Sequence, residues 1–212
     1  MNSIPGNPPA RDSGAPRQGA TPANRRLDLK ALRLAVHGWW LGNPLVYKPD
    51  NADLGAYTRE LASAGAASGT LILGDDIRSA QSAADSRDVV RAVLILRPPV
   101  SLLSSTLLGK TAAHTVATVA EESLGCSCAV EDQWDVVRSD DAARDRVCHV
   151  SVDVREDTVF LGLRLAFAPL WAAGQRDGET ATPLLARSEW REVLLARTLH
   201  ALDIRLKALS SA

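Results

Sequence analysis

The sequence predicts an α+β fold, one mixed sheet with helices packed over it, and three observations carry that prediction. First, Arg146 to Phe167 alternates with period 2. Cys148, Val150, Val152 and Val154 take one face of a strand, and Val147, His149, Ser151 and Asp153 take the other. Val159, Leu161, Leu163, Leu165 and Phe167 line one face of the next strand, the pattern of a sheet with one buried face. Second, only Arg155-Glu156-Asp157 separates these strands, short enough for an antiparallel hairpin. Third, strands come in runs broken by a few helical stretches, which reads as α+β.

Taken in order, residues 1–24 read as a disordered tail that packs against nothing. They hold Pro5, Pro8, Pro9, Pro16 and Pro22, and their only large apolar side chains are Met1 and Ile4. Such a stretch buries too little to offset its ordering entropy. The folded domain is expected over 25–212. Leu27 to Val36 is a short helix or a covering segment. Trp39-Trp40 stacks a ligand or, more commonly for Trp, buries area in a core. Leu45–Tyr47 is a strand. Asp53 to Ala64 is a helix with Leu54, Tyr57 and Leu61 on one side, capped by Asp50, Asn51 or Asp53 and ended by Gly65.

Thr70–Leu73 and Val89–Leu96 are apolar runs of the buried-strand type. Between them 75–88 is polar. Val100 to Leu124 is a long helix with Leu108, Ala112, Val116, Ala120 and Leu124 in a stripe, closed by Gly125. Cys128–Val137, Val147–Val154 and Thr158–Phe167 complete the sheet. Ser188 to Leu209 is a final helix, whose Leu195, Leu199, Leu202, Leu206 and Leu209 pack onto the sheet or onto a partner.

The bulk properties narrow the function classes. At 212 residues the chain is one domain, or one domain plus a tail. A net charge of −1 supplies no electrostatic case for nucleic acid or an anionic membrane. No apolar run reaches the roughly 18 residues a membrane span needs, and the N-terminus has no apolar signal segment. Three cysteines do not make a disulfide framework. The expectation is a cytoplasmic protein. Cys126, Cys128, Cys148 and His149 can be written as a metal set, but Cys148 and His149 are strand neighbours and point to opposite faces, which defeats both a shared zinc and a Cys–His nucleophile pair; Asp140, Asp141 and Asp145 could hold a cation, with a solvated loop the simplest account of them.

In order and spacing, several segments together resemble the catalytic domain of biotin–protein ligases, within the wider biotin/lipoate ligase and transferase group. These are Leu41-Gly42-Asn43-Pro44-Leu45-Val46-Tyr47, the Gly69-Thr70 strand entry, Leu94-Ile95-Leu96-Arg97-Pro98-Pro99 before the long helix, Arg146-Val147-Cys148-His149-Val150, and Phe160-Leu161-Gly162-Leu163-Arg164-Leu165. The resemblance implies a mixed sheet with packing helices. It also implies joining of biotin to ATP with magnesium, then acyl transfer to a lysine on a biotinyl or lipoyl carrier domain.

The positions that carry that chemistry in the family are altered here. The family's phosphate loop is rich in Gly and Arg, whereas 75–88 has four aspartates against two arginines, Arg78 and Arg87, and no glycine. The family's Lys-Trp-Pro-Asn-Asp falls on Gln133-Trp134-Asp135, so a neutral amide replaces the cation. The Ser-Thr-Asn turn before the first helix falls on Asp53-Leu54-Gly55. The Lys-x-x-Gly lysine becomes Arg146 and its glycine His149. In Gly-Ile-Gly, Gly162 keeps the first glycine and Arg164 replaces the second.

The candidate ligand-binding set, by resemblance, is Gln133, Trp134, Asp135, Arg146, His149, Gly162 and Arg164, with Arg78 and Arg87 on the loop. The expected function is that of a degenerate homologue which binds an acyl ligand or carrier domain without efficient adenylation. The alternatives are an active, divergent biotin–carrier ligase using ATP, and a non-enzymatic protein that forms a homodimer through its last helix.

Overall fold

The computed structural model describes residues 26–36, 45–50, 52–75, 89–98, 104–140, 142, 144–174 and 182–210. The tail at 1–24, Trp39-Trp40, and the segment 76–88 with Arg78 and Arg87 lie outside the described residues. The elements run α1 (Leu29–Ala35), β1 (Leu45–Tyr47), α2 (Leu54–Ser63), β2 (Thr70–Asp75), β3 (Val89–Leu96), α3 (Ser105–Leu124), β4 (Cys128–Val130), β5 (Asp135–Arg138), β6 (Arg146–Arg155), β7 (Thr158–Ala166), α4 (Phe167–Ala173) and α5 (Trp190–Ser210). The seven strands form one sheet in the order β1-β2-β3-β7-β6-β5-β4, parallel between β1 and β2 and antiparallel elsewhere. This is the α+β arrangement that the patterning predicts.

The expected caps are found. Asp53 accepts from the Ala56 amide at 2.8 Å and starts α2, a bond of the kind worth roughly 1 kcal/mol. Gly65 at φ +87° and Gly125 at φ +68° close α2 and α3 in the left-handed region that glycine enters without penalty. The hairpin is also present: Arg155 pairs with Thr158 across a turn in which Glu156 takes φ +53°.

Four elements differ from expectation. Cys128–Val137 is two strands, because Gln133 (φ +59°) and Trp134 (φ +63°) fold the chain through a 3-10 turn and pair β4 back onto β5. The long helix starts at Ser105, where the Ser104 hydroxyl caps the Leu107 amide, and not at Val100. β7 stops at Ala166, and Phe167 opens α4; Pro169 falls in that helix's first turn, where a missing N–H is tolerated. The leucine stripe of α5 packs chiefly on α3 and α1 and not on the sheet: Leu195, Leu199 and Leu202 are buried in the core there.

The two faces of the sheet are covered unequally. Leu71, Leu73, Ala92, Leu94, Leu161, Leu163, Leu165, Cys148 and Val150 point toward the core that α1, α3, α4 and α5 complete. On the other face α2 seals a smaller patch, Leu54, Ile72 and Ile95 with Tyr57, Val93 and Phe160 against them. Arg97 fastens α2 there by donating to the carbonyls of Ala62 (3.2 Å) and Ala66, while its amide donates to Ser68 Oγ at 3.0 Å. A guanidinium at the C-terminal end of a helix also meets the favourable end of the helix dipole.

Candidate functional site

Strand register builds the site on the face that α2 occupies. Arg91 on β3 lies opposite Arg164 on β7, Arg164 opposite His149 on β6, and His149 opposite Asp135 on β5. Side chains in one cross-strand row share a face, so these four form a polar band across the middle of the sheet. Its underside is the apolar row Val90, Leu165, Cys148 and Val136, all buried. The next row of the upper face holds Val93, Gly162 and Ser151. The row after that is Ile95, Phe160 and Asp153, with Ile95 and Phe160 in the α2 patch.

Asp135 is the hub of the band. Its carboxylate accepts from His149 Nδ1 at 2.7 Å and pairs with the Arg146 guanidinium at 3.0 Å. Asp135 is largely shielded, at 15% side-chain exposure, against 37% for His149 and 54% for Arg146. With Nδ1–H donated to the carboxylate, the neutral imidazole keeps Nε2 as an acceptor. The face therefore carries the guanidinium groups of Arg91 and Arg164, the His149 imidazole, and a third guanidinium, Arg146, paired with Asp135. Such a set suits an acidic group better than a cation. Among the described residues no group of three or more His, Cys, Asp or Glu side chains is placed to hold a metal ion.

Not all the sequence candidates converge. Asp135, Arg146 and His149 meet directly, and Arg164 joins them through register. Gly162 lies one row away, where a Cβ would come within 2.4 Å of Ser151 Oγ; the space above this glycine is taken by the chain's own hydroxyl. Trp134 goes the other way. Its indole packs on Gly109 of α3, where a Cβ would be 2.3 Å from Trp134 Cδ2, and joins the main core. Gln133 stays exposed in the turn. Cys148 is buried beneath His149, and desolvation pushes its thiol well above the ordinary range, so it is no nucleophile for this face.

One member of the band, Arg91, was not singled out in the sequence. The available signal was a lone charge inside the apolar run Val89-Val90-Arg91-Ala92-Val93-Leu94. A charge there breaks a buried strand pattern and marks an open face.

No family model and no curated protein matches the sequence. Solved structures do. Biotin protein ligase from Aquifex aeolicus is 16% identical at a TM-score of 0.53, covering 80% of this chain and 71% of the ligase. A point mutant of the Aquifex ligase in complex with biotin superimposes with a TM-score of 0.54 at 16% identity, over 80% of this chain and 72% of that one. A biotin protein ligase-like protein of unknown function from a Silicibacter species is likewise 16% identical at a TM-score of 0.53, with 80% and 72% covered. Identities this low speak to architecture alone. On that architecture, the chain has the fold of the biotin protein ligase catalytic domain.

Proposed function

We propose that this protein is a biotin/lipoate ligase-like homologue that binds an acyl ligand or a carrier domain without efficient adenylation. The observation that carries the reading is Asp135. Adenylation brings a carboxylate up to a triphosphate, so the site must present cations to opposing like charges. Here the turn offers neutral Gln133, and the strand cation Arg146 is already neutralised by Asp135 at 3.0 Å. An internal carboxylate in that position disfavours a second anion beside it. Arg91 and Arg164 lie opposite one another across β3 and β7, and two guanidinium groups in one cross-strand row present the planar donors that the carboxylate of an acyl ligand takes up, which supports retention of acid binding.

The test is pyrophosphate exchange with biotin, magnesium and ATP, beside calorimetric titration with biotin, lipoate, octanoate and ATP separately. The expected result is no exchange by the unaltered protein, with binding of one of the acids that is lost in Arg164→Ala. Gln133→Lys restores at most a fraction of exchange, because removing one aimed donor costs on the order of 10²–10³ in rate and losses within one site do not add. Robust exchange by the unaltered protein rejects this reading in favour of an active, divergent ligase.

A further inference from the structure

Away from the polar band, at the junction between α3 and the edge strand β4, two thiols face one another. α3 ends at Gly125 in its left-handed cap, Cys126 follows at 1% exposure, and Cys128 begins β4 half-buried. Their sulfurs are 3.9 Å apart. The spacing of two residues in extended chain puts both side chains on one side. The backbone around them is pinned: the Cys128 amide donates to Glu121 Oε1 at 3.0 Å, and the Ser127 carbonyl accepts from the Ser139 amide at 2.9 Å. Bond formation has to bring the sulfurs from this separation to the roughly 2.05 Å of a disulfide. Cys126 gives up one weak contact in doing so, its thiol to the Ala120 carbonyl at 3.6 Å.

We propose that Cys126 and Cys128 are a reversible redox site, a dithiol that exchanges with low-molecular-weight disulfides to form an intramolecular Cys126–Cys128 bond. The site is separate from the acyl-ligand reading above and does not rest on it.

The surroundings favour the chemistry. The hydrogen bond donated by the Cys128 thiol pulls Cys126 below the ordinary thiol range against the cost of burial, and Arg138, opposite Cys128 in the β4–β5 ladder, acts in the same direction. The same bond, with burial, holds Cys128 far above that range. The pair thus loses one proton readily and the second with difficulty. The carboxylates of Asp140 and Glu121 oppose ionisation. Cys128 is the sulfur that solvent reaches; the one proton left on the pair passes across the 3.9 Å contact to Cys126, the thiolate so formed on Cys128 attacks oxidised glutathione, one glutathione thiolate leaves and takes up a proton, and a mixed disulfide forms. Cys126 then attacks Cys128 Sγ and expels the second glutathione. Two cysteine thiols lose two hydrogens, and one glutathione disulfide becomes two thiols. A bond across one intervening residue closes almost no loop, so it contributes little chain-entropy stabilisation; its effect is chemical and readily reversed.

The experiment uses the full chain, reduced, then held in oxidised glutathione under native conditions and trapped with N-ethylmaleimide. Trypsin separates Cys126 and Cys128, within 111–138, from Cys148, within 147–155. The expected product is a 111–138 peptide lighter by two hydrogens and without alkylation, reversed by dithiothreitol, with Cys148 still reduced. Cys126→Ser should instead stop at a stable glutathione adduct on Cys128. The measurement on the unaltered chain decides by itself, so it does not depend on the variant folding. Three thiols that all remain alkylatable, or a glutathione adduct that persists on the unaltered protein, overturns the proposal.

Discussion

At the scale of single residues, Asp135 is the side chain on which the site turns, and its removal should act against the usual direction of mutation. Asp135→Asn keeps size and a hydrogen-bond acceptor but releases Arg146 and removes the negative charge from the band. The lost ion pair matters little to stability: Arg146 is 54% exposed, and such pairs contribute about 1 kcal/mol or less. Affinity for a carboxylate ligand should rise several-fold, read by calorimetric titration with biotin, lipoate and octanoate; weaker binding would show that Asp135 itself holds the ligand. Glu189 supplies a pH test. Hydrogen bonds from Arg187 first and Ser188 second lower its carboxyl to about 2. A depressed folded-state value means its contribution is complete above the unfolded carboxyl value of roughly 4.3 and is lost as pH falls through about 2. The Glu189 carboxyl resonance should titrate near that value and move up toward the ordinary range in Arg187→Ala.

At the scale of elements, the 3-10 turn and α3 hold each other. Gly109 in mid-helix is unfavourable by about 1 kcal/mol against alanine, yet an added Cβ would meet the Trp134 indole at 2.3 Å. Gly109→Ala should therefore destabilise despite its better propensity, by roughly 1–3 kcal/mol as overpacking does. In Trp134→Ala the same change should become neutral or favourable. A double-mutant cycle by urea unfolding reads the coupling, and additivity would refute the contact. This contact also explains what the sequence did not reveal. β6 and β7 were legible because Cys148, Val150, Leu161 and Leu163 alternate over one buried face. The break between β4 and β5 was not, because left-handed backbone fell on Gln133 and Trp134, and no Gly or Asn marked it. α4 was hidden because Phe167 prolongs the period-2 pattern of β7 and Pro169 reads as a breaker. The site was legible in part. Arg146, His149 and Arg164 could be named only through the motifs they occupy in the family resemblance, and their meeting at Asp135, with Arg91 in the same row, depends on register, which period alone does not set.

At the scale of the whole molecule, the sheet separates a thick helical layer from the polar band, and the first and last described helices both close the thick layer. α1 and the residues flanking it bring Leu27, Leu32 and Val36 into the core, at 2%, 0% and 2% exposure. Glu192, fully buried at the start of α5, accepts from the Asp28 amide at 2.7 Å and ties the first described helix to the last. Each apolar side chain buried in this way stabilises the fold by roughly 1.5–3 kcal/mol, against a total of about 5–15 kcal/mol for a domain. The preceding 24 residues have the composition of a segment that buries nothing. A chain beginning at Arg25 should then melt within a degree or two of the full protein. Leu32→Ala, which opens a cavity beneath α1, should cost about 2–5 kcal/mol and lower Tm by on the order of 10 °C. Calorimetry on the three proteins makes the comparison. A large drop on removing 1–24 would mean that the tail packs on the domain, and a silent Leu32→Ala would mean that α1 is not part of the cooperative core. Because α1 lies behind the sheet, opposite the band of Arg91, Arg164, His149 and Asp135, neither change should alter acid binding at temperatures where the protein remains folded.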